Sequence, residues 1–329
     1  MIYNQWYVVL DSKELNKHKP LRLKRFNEDL ALWRGENGDV CCIADKCCHR
    51  GVSLTCGKTI GGDLECPFHG FLYDKSGKVI LIPANGKNKA VPETMKVKSY
   101  KAFEAYGLIW LWWGDDDKVT AKPFFFSELE HFSYSSFKDH WNVHYSRAIE
   151  NQLDVVHLPF VHKTTIGRGG KTLVNGPVVI RENEMITFYV NNVKDDGKTI
   201  ALKPEEINGY EKLFHLQFHY PNIWQNFISD KIRAFAAFVP VDDENTIVYI
   251  RYYQRLVTFP VLKSLFNYVG KLSSILILRQ DKRVVITQLP KKSMQKMDER
   301  LIMGDKPIIE YRRHRQELID GSLAGLAQE

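Results

Sequence analysis

Two short segments offer the clearest chemistry: Cys47-Cys48-His49-Arg50-Gly51 and, further on, Cys66-Pro67-Phe68-His69-Gly70. Each supplies one thiolate and one imidazole, so Cys47, His49, Cys66 and His69 form the donor set of a 2Fe-2S cluster with sulfur on one iron and nitrogen on the other. Two neutral imidazoles in place of two anionic thiolates lower the negative charge around such a cluster and raise its reduction potential. A structural zinc is the competing reading, although zinc fingers usually present a Cys pair followed by a His pair, not one of each per loop.

A second group lies in Asn151-Gln152-Leu153-Asp154-Val155-Val156-His157-Leu158-Pro159-Phe160-Val161-His162. On a regular helix His157 and His162 would diverge by about 140° around the axis. Pro159 changes that geometry: it kinks or ends the helix and frees His162 to swing toward His157. Two histidines and one carboxylate leave open positions on ferrous iron for O₂ chemistry; two satisfied core histidines are the plain alternative. For the carboxylate, Asp281 stands out. On a helix reading, Ile277, Leu278, Val284 and Val285 surround it at three- and four-residue offsets, and a carboxylate in an apolar stripe is costly unless paired, protonated or metal-bound. Asp305, Glu310 and Asp320 sit in polar or turn-like surroundings. Asp154, three residues before His157, shares its helical face and is placed either to orient that ring or to form a surface salt bridge.

The elements that must hold these groups fall into two series. Residues 6–10, 30–34, 40–44, 79–82 and 108–113 read as short strands separated by Asn37-Gly38, Gly61-Gly62 and Ser76-Gly77, an antiparallel sandwich with the Cys/His loops between strands. The charged run Gly114 to Lys118 marks the expected boundary. A helical region from Ser136 through Asp154 follows, then strands at 185–190, 213–219, 233–239 and 246–253, then a long helix from Val261 to about Gln288 stopped by Pro290. His131, His140, His144, His215 and His219 are read as core or pocket residues, with His215 and His219 the best candidates to face a cavity.

The chain of 329 residues, 44% hydrophobic and 12% aromatic, suits two packed domains. All six cysteines lie between residues 41 and 66, which suits metal ligation better than a disulfide scaffold; Cys41, Cys42 and Cys56 read as buried small hydrophobes. A net charge of +7 without a long basic run argues against nucleic-acid binding. It is either ordinary solubility charge or a field that steers an acidic electron donor. No signal peptide is visible, so the cytoplasm is the expected location. The most apolar windows, Leu108 to Trp113 and Ser273 to Leu278, fall far below the ~18 residues needed to span a bilayer. Phe259 to Leu278 is longer but interrupted by Lys263 and Lys271; it reads as an amphipathic helix against the core or a partner, and no membrane is expected.

With Tyr73-Asp74 and Gly77, the two ligand segments resemble those of the Rieske non-haem iron oxygenases, the aromatic ring-hydroxylating oxygenase alpha-subunit family, in its short single-subunit-type branch. The resemblance runs from Trp6-Tyr7-Val8-Val9 to Tyr311-Arg312-Arg313 and departs at Cys48, where the family usually has Pro. Phe68 stands where respiratory Rieske proteins would need a further Cys. The resemblance implies an α+β fold: a Rieske 2Fe-2S β-sandwich over residues 1–115 and a catalytic helix-grip domain with a curved antiparallel sheet over residues 116–329. It implies mononuclear Fe(II) on His157, His162 and Asp281, the last within Gln280-Asp281-Lys282-Arg283-Val284-Val285. Asn151 matches a position near the iron, with an ordinary buried amide as its alternative, and Asp154 an electron bridge from His157 to His69 of a neighbouring subunit. The activity implied is that of a terminal oxygenase that takes electrons from an NAD(P)H-dependent reductase or ferredoxin and uses O₂ to monooxygenate an aromatic or other cyclic small molecule, by hydroxylation or oxidative demethylation. A cyclic homotrimer is implied as well. Cis-dihydroxylation, a Rieske electron carrier and a zinc protein remain as other readings.

Overall fold

The computed structural model describes residues 1–326, with side chains to residue 322; residues 327–329 of the second expected domain lie outside it. Contacts divide the chain into two units, one built on Tyr3–Phe125 and the other on Phe126–Val239 with Asp243 onward. The first extends past the charged run at Gly114 to Lys118: Trp6 Nε1 donates to Thr120 Oγ1 at 3.0 Å and Tyr106 stacks on Phe125 at 4.3 Å.

The first unit contains β1 (Gln5–Asp11), β2 (Leu21–Arg25), β3 (Glu28–Arg34), β4 (Val40–Ala44), β5 (Lys58–Ile60), β6 (Asp63–Glu65), β7 (Leu72–Tyr73), β8 (Val79–Leu81), β9 (Ala102–Ala105) and β10 (Leu108–Trp113). They form sheets ordered β1-β10-β9, β2-β3-β4 and β5-β6-β7-β8. The middle sheet is buried on both faces, and strand alternation explains how. Leu30, Leu32 and Cys42 pack with Tyr7, Val9, Ile109 and Leu111. Ala31, Trp33, Cys41 and Ile43 point the other way, toward Leu54, Leu64, Phe71, Tyr73, Cys47 and Cys66. Trp33 also donates from Nε1 to Gly62 O at 2.7 Å, which ties the middle sheet to the turn between β5 and β6.

The second unit contains β11 (Ser133–Trp141), α1 (Tyr145–Leu153), α2 (Leu158–Val161), β12 (Leu173–Glu182), β13 (Met185–Val193), β14 (Phe214–His219), β15 (Ile223–Ser229), β16 (Ile232–Pro240), β17 (Thr246–Gln254), α3 (Pro260–Val285) and α4 (Lys306–Leu326). One antiparallel sheet runs β11-β17-β16-β15-β14-β13-β12. The helix expected from Ser136 begins only at Tyr145. Residues 133–141 instead pair along their whole length with β17, from Ser133↔Gln254 to Trp141↔Thr246; cross-strand pairing outweighs the weak helical pattern of this polar stretch. His144 then starts α1, its Nδ1 accepting from Ser146 N–H at 3.2 Å.

α3 lies against β11 and β17, with Ser135 Oγ donating to Asn267 O at 2.8 Å and Lys282 Nζ to Asp139 Oδ1 at 2.9 Å. Gly270 permits the approach, because a Cβ there would collide with the Tyr252 ring. α4 covers another part of the sheet, where Phe218 meets Tyr311 edge-on at 5.4 Å and the Tyr220 hydroxyl donates to Tyr311 O at 2.9 Å. Gly270→Val should overpack the α3 contact by about 1–3 kcal/mol, lowering the thermal midpoint by several degrees; an unchanged midpoint would mean that helix and sheet do not meet so closely.

Candidate metal centres

The two ligand loops of the first unit share one construction. Cys47 N–H donates to Val52 O at 2.8 Å and Gly51 N–H to Cys47 O at 2.9 Å; Cys66 N–H donates to Phe71 O at 2.8 Å and Gly70 N–H to Cys66 O at 3.1 Å. Each loop closes on a glycine with positive φ, 74° at Gly51 and 70° at Gly70, a conformation that a side chain would strain. Cys47 and Cys66 are buried, whereas His49 and His69 are exposed. Their rings lie 4.8 Å apart, and His49 stacks on Phe71 at 4.9 Å. Burial and contact with Cys47 hold the Cys66 thiol above its ordinary pKa, against opposing backbone hydrogen bonds. The Tyr73 hydroxyl accepts from Cys48 N–H at 3.0 Å and lies 3.1 Å from Cys47 Sγ and 3.2 Å from Cys48 Sγ. Asp45 fastens the first loop, accepting from Ser53 Oγ at 2.6 Å and Thr55 N–H at 2.8 Å. Two inner sulfurs and two outer imidazoles fit a mixed-ligand cluster.

In the second unit, His157, His162 and Asp281 converge, with one ligand atom from each within 4.8 Å of the others. His157 Nε2 lies 3.3 Å from His162 Nε2 and 3.4 Å from Asp281 Oδ1, and His162 Nε2 lies 2.9 Å from the same oxygen. The break that brings the histidines together falls earlier than Pro159. α1 ends at Leu153 with Asp154 as its extended cap, and Pro159 sits in the first turn of α2, where the missing N–H costs nothing. The histidines flank that short helix. Asp154 shapes the break, its Oδ1 accepting from Val156 N–H at 2.6 Å and His157 N–H at 3.2 Å, while its Oδ2 lies 3.7 Å from His157 Nδ1.

Asp281 is 3% exposed and Leu278 and Val285 are buried beside it, but Val284 is 42% exposed, so the apolar stripe is narrower than its sequence suggested. Burial opposes ionisation of Asp281, yet hydrogen bonds and the charge of His157 and His162 prevail and lower its pKa. The same balance, with Asp154 and Asp281 outweighing desolvation, raises His157 to about 9. Two facing imidazole nitrogens and a buried carboxylate oxygen fit a divalent cation. Asn151, on α1, holds a buried Nδ2 without a hydrogen-bond partner among the described residues and lines a cavity of about 230 Å³ with Asp154 and His157.

Sequence reasoning missed two supporting groups. Gln280 Oε1 accepts from His162 Nδ1 at 2.8 Å and from Thr165 Oγ1 at 2.9 Å; this fixes the tautomer that leaves His162 Nε2 toward Asp281. Beneath α1, Arg147, Glu150, Glu299 and Arg312 form a charge network. Arg312 donates to Glu150 at 2.7 Å and to Glu299 at 2.7 Å, and Arg147 to Glu150 at 3.0 Å. His215 and His219, by contrast, do not face the ligands. Asn192 Nδ2 donates to Val155 O at 2.8 Å, and alternation with the β13–β14 register puts Phe188, Leu216 and Phe218 on that side, leaving His215 and His219 on the other.

Residues 5–101 match the Rieske [2Fe-2S] domain family and residues 141–321 the vanillate O-demethylase oxygenase C-terminal domain. The chain is 28% identical over 185 residues to the putative toluene-4-sulfonate monooxygenase system iron-sulfur subunit TsaM2 of Comamonas testosteroni, covering 55% of this chain and 52% of that protein. It is 32% identical over 198 residues to the vanillate O-demethylase oxygenase subunit of a Pseudomonas strain, covering 58% and 53%. The chain thus spans about half the length of these curated relatives. NdmA of Pseudomonas putida CBB5 shares the fold, with a TM-score of 0.77 at 23% identity over 97% of this chain and 94% of that one.

Gln280→Ala should weaken iron retention about 10–100-fold, read from metal content after dialysis, with Gln280→Glu restoring it; equal retention by wild type and Gln280→Ala would remove the orienting role. Burial, helped by the charges of Arg315 and Lys292, lowers His144 to about 2. The stability linked to its neutral form is therefore whole above pH ~6.5 and is lost as pH falls below that, at up to ~1.4 kcal/mol per pH unit. His144→Asn, which keeps a capping side chain, should show less fall in thermal midpoint between pH 7 and pH 5 than wild type; parallel curves would contradict this.

Proposed function

We propose, from the premise that this chain belongs to the Rieske non-haem iron oxygenases with a vanillate O-demethylase-type C-terminal domain, that it is a terminal oxygenase component acting on cyclic small molecules. Its reaction is monooxygenation, as ring hydroxylation or oxidative demethylation, with one atom of O₂ entering the substrate and the other leaving as water. When bound, the 2Fe-2S cluster supplies a one-electron store and the mononuclear iron a site for reductive O₂ activation. Electrons come from a separate NAD(P)H-dependent reductase or ferredoxin.

The observation that carries this reading is the convergence of His157, His162 and Asp281 in a chain whose other unit holds the Cys47, His49, Cys66 and His69 loops. Cys47 and Cys66 would hold one side of the cluster and His49 and His69 the exposed side. His157, His162 and Asp281 would hold the iron. Asp154 orients His157 and, with 27% of its side chain accessible, is placed to receive a histidine of another subunit, His69 in a cyclic homotrimer. Asn151 lines the cavity beside His157. The sheet face that reaches Val155 carries Phe188, Leu216, Phe218 and Trp224, with Ala236 opposite Trp224. Six cysteines with no disulfide among them in the described residues fit a reducing cytoplasm.

Asp281→Ala should abolish oxygenated product in an assay with a surrogate reductase and a panel of ring substrates, while the visible absorption of the reducible cluster persists. Asp154→Ala should lower product formation about 10–100-fold with the iron retained. A colourless wild-type preparation, or full turnover by Asp281→Ala, would defeat the assignment.

A further inference from the structure

α3 is long and apolar enough to cross a bilayer by length and composition, with only 11% of its most apolar window buried. The exposed residues follow one line along the helix. Leu265 is 59% exposed, Tyr268 56%, Val269 52%, Leu272 47% and Leu276 52%, and Val261 at 72% extends the line at its start. At three- and four-residue spacing the line continues into Arg279 and Arg283, both exposed. No Asp or Glu occurs between Glu244 and Asp281, whereas Lys263, Lys271 and Arg279 do.

We propose that the outer face of α3 seats the protein on an anionic membrane surface. An apolar stripe about 22 Å long from Val261 to Leu276, ending in cations and lacking acids, has the chemistry of an interfacial helix: leucines enter the acyl boundary and arginines meet lipid phosphates. A spanning arrangement is incompatible with the fold, since the inner side of α3 holds Asp281 beside His157 and His162 and Lys282 pairs with Asp139. The helix lies on the membrane and its metal-binding side stays in the protein.

The full chain should float with vesicles of phosphatidylcholine plus phosphatidylglycerol, not with phosphatidylcholine alone, and binding should weaken with added salt. Arg279→Gln with Arg283→Gln should reduce it about fivefold per arginine. Leu265→Glu with Leu272→Glu should abolish it while cluster absorption and thermal midpoint hold. No flotation with either vesicle, or binding insensitive to lipid charge and to the arginines, would overturn the proposal. So would a change of oligomeric state in the leucine variant, which would make a second copy the occupant.

Discussion

The second unit depends on the burial of one carboxylate. Asp281, with 3% of its surface exposed, would cost several kcal/mol in an apolar setting without compensating charge, and two imidazoles within 3.4 Å are what the fold places there. That need fixes much of the surrounding architecture. α3 must sit at one distance from the sheet, which Gly270 permits and the Lys282–Asp139 pair registers. The histidines must arrive on a segment that breaks at Asp154, and the network of Arg147, Glu150, Glu299 and Arg312 anchors the helix before that break against α4.

The first unit solves the same problem with loops instead of helices. A soft, deprotonatable sulfur must lie inside and a neutral ring outside, twice, at matching depth. Two turns with the same hydrogen bonds and a left-handed glycine each achieve this. The middle sheet supplies the rigid floor: with both faces buried, Ala31, Trp33 and Ile43 support the cysteines while Leu30 and Leu32 grip the opposite sheet.

Much of this was legible in the sequence because the donor residues are chemically conspicuous. Cys47, His49, Cys66 and His69 lie in glycine-ended loops, and Asp281 is a carboxylate among apolar neighbours. The long helix was read to within a few residues, since α3 lacks proline after its first position and has strong apolar content. Residues 136–141 were misread because a polar strand whose partner, β17, lies more than a hundred residues away gives no local sign of its pairing. Gln280 and the Arg147 network were invisible for the same reason: the value of a neutral amide or a surface-like Arg/Glu set depends on what the fold brings opposite it. The face taken by His215 and His219 could be assigned only once the strand register was known.

Asp154 performs two tasks with one side chain. One oxygen accepts backbone N–H groups at the turn after α1 and the other approaches the His157 ring. Replacing it disturbs chain path and ring orientation together, so a loss after mutation cannot be apportioned between them by removal alone. An isosteric amide that preserves the turn but discards the charge separates the two contributions, and the coupling leaves the position little freedom to drift even where substrate preference changes.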